Sequence, residues 1–198
     1  MINKFRYFGI IGIILLWAGT IVGMIRSGLS LVDTRPISYI GVATDSALFF
    51  NSLLFLSAVC FAMFGVYLYK SINLNKSFLI VFLIGQIGQM IAAILPYGGQ
   101  YKIVHTIAAF TLATAIPIFM YIFSKSKNLG NFKTSAKRLF IAELIFFTVG
   151  ISTFIFIDGI SPIAEILPAL PFHLWIILIT LWIQKRRLGN VSSSKFIT

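Results

Sequence analysis

The chain has 198 residues, of which 59% are hydrophobic and 11% are charged, and its formal net charge is +11. Soluble domains carry about 25% charged residues, so this composition excludes a soluble globular domain and indicates an integral membrane protein. The basic excess does not predict nucleic-acid binding, because lysine and arginine also collect at the cytoplasmic side of membrane proteins.

Six apolar segments are long enough to cross a hydrocarbon core of about 30 Å at about 1.5 Å per residue. Backbone amides cannot stay unpaired in lipid, so continuous spans of this length are predicted to be α-helices. The sequence therefore predicts an all-α polytopic membrane protein, a bundle of six transmembrane helices in one domain over residues 1–198. The predicted helices are residues 7–25, 46–69, 78–95, 103–123, 139–157 and 162–183, followed by a polar cytoplasmic tail at 184–198.

The first segment follows Lys4 and Arg6 and resembles a secretory signal at first sight. Its apolar run is longer than the ~7–15 residues of a signal, and no cleavage site follows it, so we expect a retained helix. Gly19 and Gly23 form a GxxxG pattern that favours close helix packing.

The connection at residues 26–45 is predicted to pack over the helix ends as a lid. It carries apolar residues that need partners, which is unusual for a simple linker. These residues are Leu29, Leu31, Val32, Ile37, Tyr39, Ile40 and Val42. Asp45 directly precedes the second predicted helix, where capping of that helix is favoured over ligand binding.

The single cysteine, Cys60, lies within a span, so the chain forms no internal disulfide or cysteine metal cage. Gln86 and Gln89 lie one turn apart in the third helix, where interhelical hydrogen bonding is the favoured interpretation. Gln89 is nevertheless kept as a candidate ligand contact at the outer side.

The two histidines are predicted near the starts of the fourth and sixth helices. His105 opens the fourth helix, and His173 follows Glu165 by eight residues in the sixth. Pro168 and Pro171 intervene and are expected to kink or break that helix. Glu143, by contrast, is expected at the cytoplasmic end of the fifth helix, paired or extended towards the interface.

Lysine and arginine predict the orientation. If the N-terminus is cytoplasmic, thirteen of the 16 basic residues fall on the inner side, and Arg26, Arg35 and Lys102 remain outside. This bias predicts a plasma-membrane protein with both termini in the cytoplasm. The same topology places both histidines together with Asp33, Asp45, Asp158 and Glu165 at the outer face.

Three stretches resemble motifs of an uncharacterised prokaryotic family of six-helix membrane proteins, domain of unknown function 998. They are residues 37–52 (ISYIGVATDSALFFNS), residues 94–99 (ILPYGG) with His105 following, and residues 163–165 (IAE) with Pro171 and Trp175 following. The family is architecturally similar to the DRAM-type membrane proteins. The resemblance implies a six-helix fold and a site location, and it implies no reaction.

The outer polar residues predict a vestibule that binds a ligand, formed by Asp45, His105, Glu165, His173, Arg35 and Gln89. Three functions remain open. The favoured one is binding of a lipid or other amphipathic molecule, with the chain acting alone, as a homo-oligomer or as an accessory subunit of a membrane complex. The alternatives are a metal-dependent lipid hydrolase, with zinc on His105, His173 and either Asp45 or Glu165, and a bis-histidine haem electron carrier. Catalytic motifs such as HExxH and GxSxG do not occur.

Overall fold

The computed structural model describes the backbone of residues 2–156 and 161–194. The prediction of an all-α fold is confirmed, since these ranges contain helices and no strand. Short 3-10 helices lie at Ile2–Tyr7, Ile37–Gly41, Gly99–Tyr101 and Lys127–Leu129. The α-helices are α1 (Phe8–Ser27), α2 (Ala47–Ile72), α3 (Lys76–Ile94), α4 (Lys102–Ser124), α5 (Phe132–Phe156) and α6 (Pro162–Ser194).

Five helical segments in the described ranges are long and apolar enough to cross a membrane, which is the architecture of a multi-pass membrane protein. They are Phe5–Ser27, Ala47–Ile72, Lys76–Ile94, Gly99–Ser124 and Pro162–Arg186. The remaining predicted span, 139–157, belongs to α5 and ends among residues that the structure does not describe.

An aromatic core holds the helices together in the half of the bundle that contains the turns at residues 73–75 and 125–131. Neighbouring helices in the chain pack on one another, and α1 also contacts α6. Phe82 of α3 and Phe119 of α4 have ring centroids 4.6 Å apart, and Phe123 lies 5.0 Å from Trp175 of α6. Such large buried rings contribute much of the packing in a helical bundle. The opposite half of the bundle is left less filled.

The lid segment, residues 28–46, covers that opposite half. Leu29, Ile37 and Ile40 are buried together with Phe50 of α2, which confirms that this connection packs on the helix ends. Asn51 also donates a hydrogen bond from Nδ2 to the Gly41 carbonyl oxygen at 2.9 Å. The expectation was wrong for three of the apolar residues, because Leu31 is 49%, Val32 is 86% and Val42 is 38% exposed.

The sixth helix differs from its prediction in two ways. It runs without a break through Pro168 and Pro171, and it continues to Ser194 instead of ending at residue 183. Gly150 of α5 makes room for the first proline, since a Cβ there would lie 3.1 Å from the Pro168 Cγ. The predicted polar tail is therefore helical as far as Ser194, where the described residues end. The end of an apolar run marks the limit of the membrane-spanning part of a helix, and the helix itself can continue beyond it.

Gly23 fixes the lid segment against α1, and its substitution tests this packing. A Cβ at position 23 would lie 2.4 Å from Cγ2 of the fully buried Ile40. Because a β-branched side chain in a packed site cannot easily move away, we expect Gly23→Ala to destabilise the protein by about 1–3 kcal/mol. Thermal unfolding of the purified protein in detergent measures this loss.

The double variant Gly23→Ala/Ile40→Ala is the control. Removing the Ile40 side chain relieves the clash, so the two changes together should destabilise the protein by less than the sum of their separate effects. Additive effects would show that the lid segment is not held at this point.

Candidate functional site

A cavity of about 290 Å³ lies beneath the lid segment and is lined by all six α-helices. Most of its lining side chains are apolar. Four of the six residues predicted for the outer vestibule line it, namely Gln89, His105, Glu165 and His173. The cavity thus brings together side chains from α3, α4 and α6 that are far apart in the sequence.

Asp45 is not among the residues that line the cavity. It is exposed, two residues before the first residue of α2, and Ser46 occupies the N-cap position in its place. The Ser46 hydroxyl makes no capping bond and instead donates to the Ile40 carbonyl oxygen at 3.0 Å. Neither capping nor ligand binding by Asp45 is therefore seen in this geometry.

Arg35 is likewise directed to the lid segment and not into the cavity. It donates two side-chain hydrogen bonds to the carboxylate of Asp33, at 3.0 and 2.7 Å, and lies over the Tyr39 ring at 4.6 Å. These bonds lower the pKa of Asp33 to about 2 and raise the pKa of Arg35. Because a lowered carboxyl pKa keeps the anion present, the pair stays ionised at any pH above about 4.

His105 offers the cavity a hydrogen-bond acceptor. Its Nδ1 lies 2.8 Å from the Leu95 carbonyl oxygen and 3.0 Å from the Ala92 carbonyl oxygen at the end of α3. Both partners only accept, so Nδ1 must carry the ring proton. The bond pairs carbonyl groups that the end of a helix would otherwise leave unpaired. It also leaves Nε2 with a free lone pair.

His173 is the opposite tautomer and lies deeper than the sequence predicted. The indole Nε1–H of Trp17 in α1 donates to its Nδ1 at 3.2 Å, so the proton of the neutral ring is on Nε2. The ring lies in the middle of α6, with its centroid 6.2 Å from that of Phe61 of α2. Both histidines line the same cavity, and Trp17 is a site residue that helical spacing could not identify.

Glu165 joins the cavity to the lid segment. Its carboxylate accepts a hydrogen bond from the backbone N–H of Ser38 at 3.3 Å. Because α6 is continuous, Glu165 lies about 12 Å from His173 along the helix axis. The cavity is thus bounded by a carboxylate beneath the lid segment and by an imidazole near the middle of the bundle.

Gln89 holds the wall between α2 and α3. Its Nε2 donates to the Ser57 hydroxyl at 2.7 Å and to the Leu54 carbonyl oxygen at 3.1 Å. This is the interhelical hydrogen bonding favoured from the sequence. Since both bonds use the amide nitrogen, the amide oxygen remains as an acceptor beside the cavity.

The residue arrangement does not fit a metal or a haem. In the described ranges, no three histidine, cysteine or acidic side chains are grouped to hold an ion. Ligation through His173 Nε2 would need the other tautomer, whose Nδ1–H would face the N–H of Trp17. The same argument from the tautomer of His173 applies to ligation of a haem iron through Nε2.

Two further acidic residues, Glu143 and Asp158, do not belong to the cavity as the structure describes it. Glu143 was expected at the cytoplasmic end of α5, but it lies mid-helix, is 0% exposed and forms no hydrogen bond to another described residue. The expectation that Glu143 is paired or extended towards the interface is therefore wrong. Asp158 lies outside the described residues.

No protein-family model, curated protein or solved structure matches this chain.

The opposite tautomers of the two histidines can be measured directly. Nitrogen-15 NMR of histidine-labelled protein should show one ring protonated on Nδ1 and one on Nε2, and His105→Gln assigns the two signals. In Trp17→Phe, the donor to His173 is lost, so its signal should shift towards a mixture of tautomers. The His105 signal should stay unchanged, and two identical tautomers in the wild-type chain would contradict this geometry.

Proposed function

We propose that this chain binds a lipid or another amphipathic molecule in the cavity beneath its lid segment. The observation that carries the proposal is that one largely apolar cavity contains a few polar groups from separate helices. Sites for small ligands have this construction, with apolar walls that supply affinity and a few polar groups that fix orientation. The cavity volume is also close to the lower end of the usual range for such sites, about 300–1,000 Å³.

The polar groups favour a head group that donates hydrogen bonds. His105 Nε2 and the Glu165 carboxylate both accept, and they line the same cavity. A hydroxyl or primary amine on the ligand would pair with them, while its apolar chain contacts the side chains of Leu16, Leu112 and Ile116. Leaving such buried acceptors unpaired is costly, so a ligand without donors should bind less tightly.

Binding is favoured over hydrolysis for a chemical reason. The hydrogen bond from Trp17 fixes the tautomer of His173. Among the described residues, neither histidine is hydrogen-bonded to a serine or a cysteine. A nucleophile beside its base, or an activated metal-bound water, is what hydrolysis needs. A binding or accessory role in a membrane complex requires neither.

For topology, we propose six spans with both termini in the cytoplasm and the lid segment outside. The lid end of the bundle carries only Arg26, Arg35 and Lys102 as basic residues, while the turns at the other end carry a large excess. The similarity to the uncharacterised six-helix family is likewise proposed for the fold alone.

Ligand class can be tested with a matched pair of amphiphiles. A long-chain primary alcohol should raise the melting temperature of the purified protein more than its methyl ether, which lacks the donor. At a free concentration of about 100 Kd, the expected stabilisation is about 2.7 kcal/mol. Ala113→Trp fills the cavity wall and should abolish the shift, whereas Thr114→Trp, exposed on the same helix and outside the lining, should preserve it. Equal shifts with both amphiphiles would contradict the proposed head group.

Topology can be tested by thiol labelling of intact cells. In a Cys60→Ser background, which removes the buried native thiol, a membrane-impermeant maleimide should label Thr34→Cys in the lid segment. It should label Asn131→Cys, between α4 and α5, only after the membrane is permeabilised. Thr34 and Asn131 are both exposed, so a difference in labelling between the two cysteine variants would not come from burial of one of them. The reverse pattern would invert the orientation.

A further inference from the structure

One side chain that lines the cavity also reaches the outer surface of the bundle. Most of the described lining residues are buried or half-buried. Phe110 of α4 is the most exposed of them, at 42%. Because this ring borders the cavity on one side and the surroundings of the protein on the other, it forms part of the wall between the two.

Phe110 lies on the side of α4 that faces α5. Tyr121 follows it by eleven residues, which is about three turns of helix, so the two side chains share one face. The Tyr121 ring contacts Phe140 of α5, with centroids 5.4 Å apart. Because α4 and α5 run antiparallel, the same register places Phe110 opposite Ile151, which also lines the cavity. We call the boundary between these two residues the α4–α5 seam.

The other pairs of neighbouring helices are joined around the cavity by a hydrogen bond or by a glycine that lets the helices touch. These contacts are the bonds of Trp17 with His173, of Gln89 with Ser57 and of His105 with Ala92, and the close approaches of Gly19 to Leu53 and of Gly150 to Ala164. The ring contacts described between α4 and α5, at Tyr121 and Phe123, lie instead in the other half of the bundle. The α4–α5 seam is therefore the side of the cavity where two helices can most easily separate.

The α4–α5 seam lies at the depth of the hydrocarbon. Phe110 follows Lys102, the first residue of α4, by eight residues, or about 12 Å along the helix. Along the outer side of the same membrane-spanning helix, Ile107 is 62% exposed and Ile118 is 50% exposed. A molecule that passes Phe110 therefore comes from the acyl-chain region of a bilayer. Long-chain amphiphiles collect there, because each CH₂ group favours the apolar phase over water.

Given the proposed ligand cavity, on which this route rests, we propose that the ligand is a lipid taken directly from the bilayer through the α4–α5 seam, with Phe110 as the gate. Passage requires the Phe110 ring to change rotamer. The lid segment stays in place during this step, held by the bonds of Ser38 to Glu165 and of Asn51 to Gly41. The polar groups of the cavity then receive the head group without exposing it to water.

Fluorine-19 exchange NMR of the full chain in phosphatidylcholine nanodiscs tests this route. The probe is a long-chain primary alcohol with a terminal trifluoromethyl group, whose bound and bilayer-dissolved forms give separate signals. The signal areas give the bound fraction, and the exchange between them gives the rates of binding and release. The bound signal is assigned to the cavity by its loss in Ala113→Trp.

We expect Phe110→Ala to raise the rates of binding and release together, each by about tenfold, because removing a gate lowers one barrier in both directions. Phe110→Trp should lower both rates. Loss of a simple contact between Phe110 and the ligand would raise the rate of release alone, so the rate of binding identifies the gate.

Two control variants separate the α4–α5 seam from the lid segment. Ile107→Ala shortens another exposed side chain of α4 that does not line the cavity, and it should leave both rates unchanged. Asn51→Ala removes the hydrogen bond to the Gly41 carbonyl oxygen and so loosens the lid segment, although Asn51 does not line the cavity. Entry through the seam predicts that this variant also exchanges the alcohol at the wild-type rates.

Two results would overturn the proposed route and leave ligand binding intact. The first is a rise in the release rate alone in Phe110→Ala. The second is faster exchange in Asn51→Ala with unchanged exchange in Phe110→Ala, which would place the entrance at the lid segment. A wild-type chain without a bound signal would instead reject the ligand cavity, and the route with it, so the two failures are distinguishable.

Discussion

The hydrogen bond from Trp17 to His173 is the interaction on which the chemistry of the bundle interior depends. It joins the first helix to the last, and its direction determines which nitrogen of His173 carries a proton. The ring itself lies among aromatic neighbours, with centroids 6.2 Å from Phe61 and 5.6 Å from Phe172. Without this bond, His173 could present either a donor or an acceptor to the cavity that it lines.

The polar groups of the interior lie at different depths, and not all of them have a hydrogen-bond partner among the described residues. At the lid segment, Glu165 bonds to the backbone of Ser38. Along the walls, Gln89 and His105 bond to α2 and to the end of α3. In the middle, Glu143 has no bond to a described residue. Because unpaired polar groups are most costly where the surroundings are most apolar, the deepest level is the one whose retention most needs a functional explanation.

Hydropathy was sufficient to predict the helices, since the length of an apolar run and the absence of charge are properties of a local segment. It also predicted that Ile37 and Ile40 need partners. It could not place His173 or Glu143, because depth and burial depend on which helices face one another and in what register. Trp17 could not be assigned for the same reason: its partner is 156 residues away in the sequence. Pro168 was expected to kink or break α6, and the helix instead runs unbroken past it, with Gly150 of the neighbouring helix leaving space for the proline ring.

The lid segment contacts both α1 and α6, which are far apart in the sequence. Ile40 packs on Gly23 of α1, and Ser38 bonds to Glu165 of α6, which is inserted last during synthesis. The lid segment therefore reaches its final position only after α6 is in place, although its own sequence emerges much earlier. Until then the Ser38 N–H lacks its carboxylate partner, and the cavity lacks the wall that α6 supplies. The closing of the first long loop thus depends on the insertion of a helix that is made more than a hundred residues later.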